Sequence, residues 1–152
     1  CIDTHRKMGV GNEIKLEKYS TVIAIEGTVL ADIARNHIIP CALKYQNRLI
    51  ENVKGIKEIF GDKEFKDLAK EQMNMIGEIS QHVSIIKVEA DALLAAIKNA
   101  KSIEDPQESA EQFCTDVKPR FEKIRNSSDA LEMVVDDELW PMTKYRELLF
   151  TR

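Results

Sequence analysis

Apolar residues recur every three to four positions in three long segments, and this spacing predicts an all-α protein. The first segment opens at Glu13, behind Asn12, a residue type that caps helices well. It then reaches Pro40, which has no backbone N–H and whose ring clashes with the carbonyl of Asn36 in a regular helix. We therefore expect the first long helix to kink or split at Pro40 and to end at Gly61.

The second segment carries the most regular apolar stripe of the chain. We expect Asp62 to cap this helix, and the stripe alternates steps of three and four residues, with one extra step of four, over about nine turns. Its members are Phe65, Leu68, Gln72, Ile76, Ile79, Val83, Ile86, Ala90, Leu93 and Ile97. Such a seam is typical of a helix packed in a bundle.

The third segment begins with a strong helix-start signal. Asp105 can cap the helix, Pro106 suits the first helical position, and Glu108 brings a carboxylate to the third. We expect this helix to bend at Pro119 and to end near Leu139.

The end of the chain combines the only tryptophan with a proline. Pro141 biases Trp140 towards an extended conformation, so the tail should leave the helix and fold back as a short strap. We name its anchoring residues the clasp and predict a structural role for them. The clasp consists of Trp140, Pro141, Tyr145, Leu148, Leu149 and Phe150.

Together these segments predict an antiparallel bundle of three long helices, the first kinked or split, with a short non-helical C-terminal strap. Residues 1–12 are expected to form a mobile leader, and residues 13–152 a single helical bundle domain. Because the chain opens with Cys1 and no element signal, we expect it to be a segment of a longer protein.

Composition narrows the class of protein. The 152 residues are 43% hydrophobic and 32% charged, as in a helix-rich globular domain, and the net charge of −4 comes without any basic block. Nucleic acid is therefore not an expected partner. No apolar run approaches the length of a membrane span or resembles a signal peptide. Three widely spaced cysteines without a C-x-x-C pair predict reduced thiols and a cytoplasmic location.

Candidate chemistry is sparse. No glycine-rich phosphate loop occurs, and no two of His5, His37 and His82 stand four residues apart. We therefore predict no catalytic, cofactor-binding or metal-binding residue in this segment. His82 could be a phosphotransfer histidine, although a partly solvated flank residue is the simpler interpretation. His37 is interpreted as a polar residue that satisfies carbonyls freed by Pro40.

The acidic run at residues 136–138 has an unusual predicted position. It falls at the C-terminal end of the third helix, where negative charge opposes the helix dipole. This mismatch predicts a basic partner facing the run, either inside this domain or on another one.

Two stretches resemble type III glutamine synthetases. Residues 25–49, IEGTVLADIARNHIIPCALKYQNRL, are similar to a family run built around an Ile-Pro pair followed by Tyr-Gln. Residues 128–141, SDALEMVVDDELWP, with Tyr145 and the Leu-Leu-Phe that ends at Phe150, resemble the family's C-terminal end, where Trp-Pro and Leu-Leu-Phe occur at the same spacing, although this chain has Thr143 where the family commonly has proline.

The resemblance implies the C-terminal region of an ATP-dependent glutamate–ammonia ligase of nitrogen metabolism. The segment would be a non-catalytic structural and assembly domain, inactive alone, since the family's catalytic residues match no position here. ATP and Mg²⁺ or Mn²⁺ are implied for the parent enzyme. The implied partners are the catalytic domain of the same chain and neighbouring subunits of a dodecameric homo-oligomer. The alternative hypothesis is a stand-alone helical interaction or signalling bundle.

Overall fold

The computed structural model describes residues 10–141, and its regular structure in this range is all helical, which confirms the predicted class. Five α-helices and two π-helical segments occur among these residues. They are α1 (Val10–Ile33), the first π segment (Ala34–Ile38), α2 (Ile39–Leu68), α3 (Lys70–Lys101), α4 (Pro106–Gln112), the second π segment (Phe113–Val117) and α5 (Lys118–Val134). The clasp residues Tyr145, Leu148, Leu149 and Phe150 lie outside the described residues.

Pro40 and Pro119, the two prolines that lie within long helical runs, each come two positions after a π segment. Ahead of Pro40, the Ile39 N–H donates to the carbonyl of Ala34, five residues back. Ahead of Pro119, the Lys118 N–H likewise donates five residues back. In a π turn the backbone N–H bonds to the carbonyl five residues back instead of four. The hydrogen-bond register therefore shifts next to the proline, which has no N–H to donate. Ile39 keeps right-handed helical dihedral angles, so the helix is not split at Pro40, contrary to one of the two predicted forms.

The helical path is interrupted at Gly61, within α2, and again at Ala69, between α2 and α3. Gly61 has φ 75° and ψ −178°, which confirms the predicted stop at a residue that can adopt positive φ. The predicted second long helix, with Asp62 as its cap, is divided by a second interruption at Ala69, with φ −101° and ψ 11°, so α3 begins only at Lys70. Ala69 is completely buried, so this turn is packed against the protein.

The outer ends of the helices differ from the predicted ends. Helix α1 begins at Val10, three residues before the predicted start at Glu13. Helix α5 ends at Val134 instead of near Leu139, because Val135 adopts an extended conformation with φ −75° and ψ 143°. The start of α4 is as predicted, since the Asp105 carboxylate accepts the Glu108 backbone N–H at 3.0 Å.

Helix α3 lies at the centre of the core and packs against α1, α2 and α5. The predicted seam is confirmed along most of α3, where its most deeply buried members are Ile79, Ile86, Ala90, Leu93 and Ile97. Leu68, at the start of the predicted seam, is exposed because it precedes the turn at Ala69.

Small residues on α1 bring this helix close to its neighbours. Ala24, Gly27 and Ala31 are buried and lie on one side of the helix. A Cβ atom at Gly27 would stand 2.7 Å from Ile97 Cδ1 and 3.0 Å from Phe121 Cε1. Sequence reasoning missed this stripe, although its three-and-four spacing was the available signal.

The cysteines follow the prediction only in part. Cys41 is a buried free thiol, as expected for a packing residue. Cys114 is disulfide-bonded, so the prediction of a reduced thiol is wrong at this position. The number and spacing of cysteines do not reveal which sulfur atoms a fold brings together.

Candidate functional site: the turn that carries Trp140

Trp140 lies in the buried core. Its exposed fraction is 9%, and it belongs to the same continuous apolar cluster as Val135 and Cys41. Leu139, just before it, is half-buried and packs against the cluster, whereas Pro141 is exposed. The described part of the clasp therefore places one large aromatic side chain inside the protein.

Asp136 organises the turn that leads to Trp140. Its carbonyl accepts the backbone N–H groups of Leu139 at 3.0 Å and Trp140 at 3.1 Å. Its carboxylate accepts the Glu138 N–H at 3.0 Å. One aspartate thus caps a new turn directly after the C-cap of α5, where the Val135 N–H donates to the Leu131 carbonyl at 2.9 Å.

Helix α2 holds this turn at two points. The Arg48 guanidinium lies 3.3 Å from the Asp136 carboxylate, and the Cys41 thiol donates to the Leu139 carbonyl at 2.7 Å. Arg48 and Asp136 are both substantially exposed, so this ion pair stabilises the fold by no more than about 1 kcal/mol. The two contacts position the turn, and the burial of Trp140 supplies most of the free energy that holds the turn against the domain.

The acidic run has the predicted basic partner, within the described residues of this same domain. Arg48 supplies it, at the Asp136 end of the run. The predicted location of the run was wrong, because Asp136 begins a turn and does not end α5. Its carboxylate accepts the Glu138 backbone N–H, and such a donor favours a negative charge.

The two described histidines are unlike each other. His82 is half-buried, with its Nε2 3.9 Å from a Glu78 carboxylate oxygen. Its Nδ1 is shielded from solvent and has no hydrogen-bond partner within residues 10–141. A half-buried side chain beside a carboxylate on its own helix fits the interpretation of a partly solvated flank residue. His37 is exposed within the first π segment, where the shifted register already accommodates Pro40.

Across the part of the chain that the structure describes, no three His, Cys, Asp or Glu side chains are grouped so as to hold a metal ion. Within that same range, no helix combines the length and the apolar character needed to cross a membrane.

A groove of about 440 Å³ lies between α1 and the connection from α3 to α4. Its lining includes Ser20, Thr21 and Ile25 from α1, with Lys101 and Glu104 on the opposite wall. Sequence reasoning did not find this groove, because it forms between segments about 80 residues apart in the chain and no local motif marks it.

Comparisons with known proteins agree with this helical domain. A family model described as glutamine synthetase C-terminal domain matches residues 2–57. A glutamine synthetase from Bacteroides fragilis (strain YCH46) is 46% identical over 140 residues, which is 92% of this chain. A type-3 glutamine synthetase from Dictyostelium discoideum is 29% identical over the same length.

The chain matches the glutamine synthetase C-terminal domain family and fits the C-terminal domain of a type III enzyme. The resemblance expected from the sequence is therefore confirmed. The chain spans about a fifth of the curated relatives it matches, 19% of each. The family model covers α1, the first π segment and α2 as far as Lys57.

Proposed function

We propose that this chain is a non-catalytic structural and assembly domain of an ATP-dependent glutamate–ammonia ligase. The observation that carries the proposal is the extent of the similarity. Nearly the whole chain aligns with two proteins named glutamine synthetase, and it accounts for only 19% of either one. A segment of that size within a much longer enzyme has the proportions of an accessory domain.

The use of charged side chains in this fold supports a structural role. Glu89 on α3 has a side chain only 15% exposed, and it pairs with Arg120 at 3.3 Å and Lys123 at 3.7 Å from α5. Arg120 also pairs with Asp116 at 3.1 Å. These charges are engaged in joining helices, so they contribute to the orientation of α5 and of the Trp140 turn that follows it.

We further propose how the domain is organised and what it joins. The long helices form an antiparallel bundle closed by the non-helical strap. The partners are the catalytic domain of the same chain and neighbouring subunits of a homo-oligomer, a dodecamer by family resemblance. ATP and Mg²⁺ or Mn²⁺ would bind the catalytic domain, and the enzyme would work in the cytoplasm.

The test compares the 152-residue chain with the full-length parent protein. We expect ATP-dependent glutamine formation by the full-length protein and none by the chain alone, because the reaction needs a nucleotide and divalent metals to hold the transferred phosphoryl group. In the full-length protein, Trp140→Ala should weaken assembly, measured by sedimentation velocity, more than it changes kcat. Met133→Ala is the matched control, since Met133 is 86% exposed. Glutamine formation by the isolated chain, or a Trp140→Ala change confined to kcat, would contradict the proposal.

A further inference from the structure

Helix α1 is apolar on two opposite sides. The inner side buries Ile23 and the small residues around Gly27. On the outer side, four large aliphatic side chains are exposed to between 44% and 63%, and at about 100° per residue they fall within an arc of about 80°. We name these four residues the outer stripe. The outer stripe consists of Ile14, Val22, Ile25 and Val29.

The groove between α1 and the α3–α4 connection adjoins the outer stripe, because Ile25 belongs to both. Ser20 also lines the groove, and its hydroxyl is shielded from solvent with no hydrogen-bond partner within residues 10–141. Other hydroxyls on α1 do bond back to the helix. Thr21 donates to the Glu17 carbonyl at 2.8 Å, and Thr28 to the Ala24 carbonyl at 2.7 Å. The Ser20 hydroxyl is therefore an unsatisfied buried group, and a change of its rotamer would let it bond to a partner group that enters the groove.

The size of the outer stripe decides between two kinds of occupant. Four half-exposed aliphatic side chains offer on the order of 300–400 Å² of apolar surface, a large patch for a monomer but well below the roughly 800 Å² per partner of a stable free complex. A second, untethered copy of the chain would bind weakly through such an area. A covalently connected partner binds at a high effective concentration and needs less contact area.

We propose that the outer stripe and the adjoining groove dock the remainder of the same synthetase polypeptide. This inference rests on the proposed function, under which about four-fifths of the enzyme lies outside this domain. For a C-terminal domain, that polypeptide precedes α1 in the chain, so α1 is the first described helix that follows it. The segment that docks would present aliphatic side chains to Ile25 and Val29 and a hydrogen-bonding group to Ser20.

The test measures thiol labelling in the full-length protein, resolved by peptide mass spectrometry. Ile25→Cys reports on the outer stripe, and Val88→Cys on α3 is the matched control because both native residues are 60% exposed in the domain. Exposed positions tolerate such substitutions, and circular dichroism checks that both variants stay folded. Each labelling rate is divided by the rate of the same variant in the denatured chain. This ratio should be at least tenfold lower for Ile25→Cys than for Val88→Cys.

Labelling of Ile25→Cys within threefold of the denatured rate, in a protein that forms glutamine, would overturn the docking inference alone. Absence of ATP-dependent glutamine formation by the full-length protein would instead overturn the proposed function. In the separate 152-residue chain, slow labelling of Ile25→Cys that becomes fast when the protein is diluted would mean that the occupant is a second copy. This result would also overturn the inference.

Discussion

Replacing Trp140 by alanine tests whether the turn after α5 anchors the end of the domain. Trp140 is 9% exposed, so it buries on the order of 200 Å² of mostly apolar surface. At about 25 cal/mol per Å² this burial corresponds to at most about 5 kcal/mol of transfer free energy. Truncation of a large buried aromatic residue costs about 3–5 kcal/mol, and we expect Trp140→Ala to lie in this range.

Thermal unfolding followed by circular dichroism measures this loss. For a domain of this size each kcal/mol lowers Tm by roughly 2–4 °C, so Trp140→Ala should lower Tm by about 10 °C. Met133→Ala, at a residue 86% exposed on α5, should leave Tm nearly unchanged. A Trp140→Ala protein that melts within about 2 °C of the wild type would refute the reasoning. Trp140 would then contribute little to the core that contains it here.

The remaining predictions concern three glycines and one helix cap, and each is checked by the free energy of unfolding in urea. Gly27→Ala should destabilise by about 1–3 kcal/mol, because its Cβ would stand 2.7 Å from Ile97 Cδ1. Gly77→Ala, with nothing within 4 Å, should instead stabilise by about 0.5–1 kcal/mol, and the same sign at both glycines would contradict this packing. Gly61→Ala should cost about 1–3 kcal/mol, since φ is 75°, and an unchanged midpoint would argue against that conformation. Asp105→Ala should cost about 1 kcal/mol by removing the α4 cap, and a neutral result would mean that the cap adds nothing.

Much of the fold was predictable because its signals are local. The seam of α3 repeats every three to four residues, so its buried side follows from helix geometry alone. The cap at Asp105 depends on residues three positions apart, and the stop at Gly61 depends on one residue's freedom to adopt positive φ. None of these features requires knowledge of distant contacts.

The features that were not predicted depend on distant partners. Helix α5 ends early at a turn whose Asp136 side chain pairs with Arg48, 88 positions earlier in the chain. On α1, Val22 and Val29 lie on the outer side and Ile23 on the inner side, and nothing in their apolar character marks which of them faces the core. Only the packed neighbours tell the two sides apart.

The candidate site was predicted in part. The sequence indicated that Trp140 anchors the end of the domain, and the structure buries it. The roles of the clasp residues from Tyr145 onward stay predictions. The groove beside Ser20 carried no sequence signal, because a shielded hydroxyl without a partner arises from the packing of α1 against the α3–α4 connection.

The π segments ahead of Pro40 and Pro119 have a consequence for comparing this domain with its relatives. A π turn takes up roughly one more residue than an α turn, so each segment acts as a one-residue insertion inside a continuous helix. Loss of one residue there, together with replacement of the proline, would restore a regular turn and leave the buried sides on both flanks unchanged. Single-residue length differences in this family can therefore be absorbed at these two places without rebuilding the core.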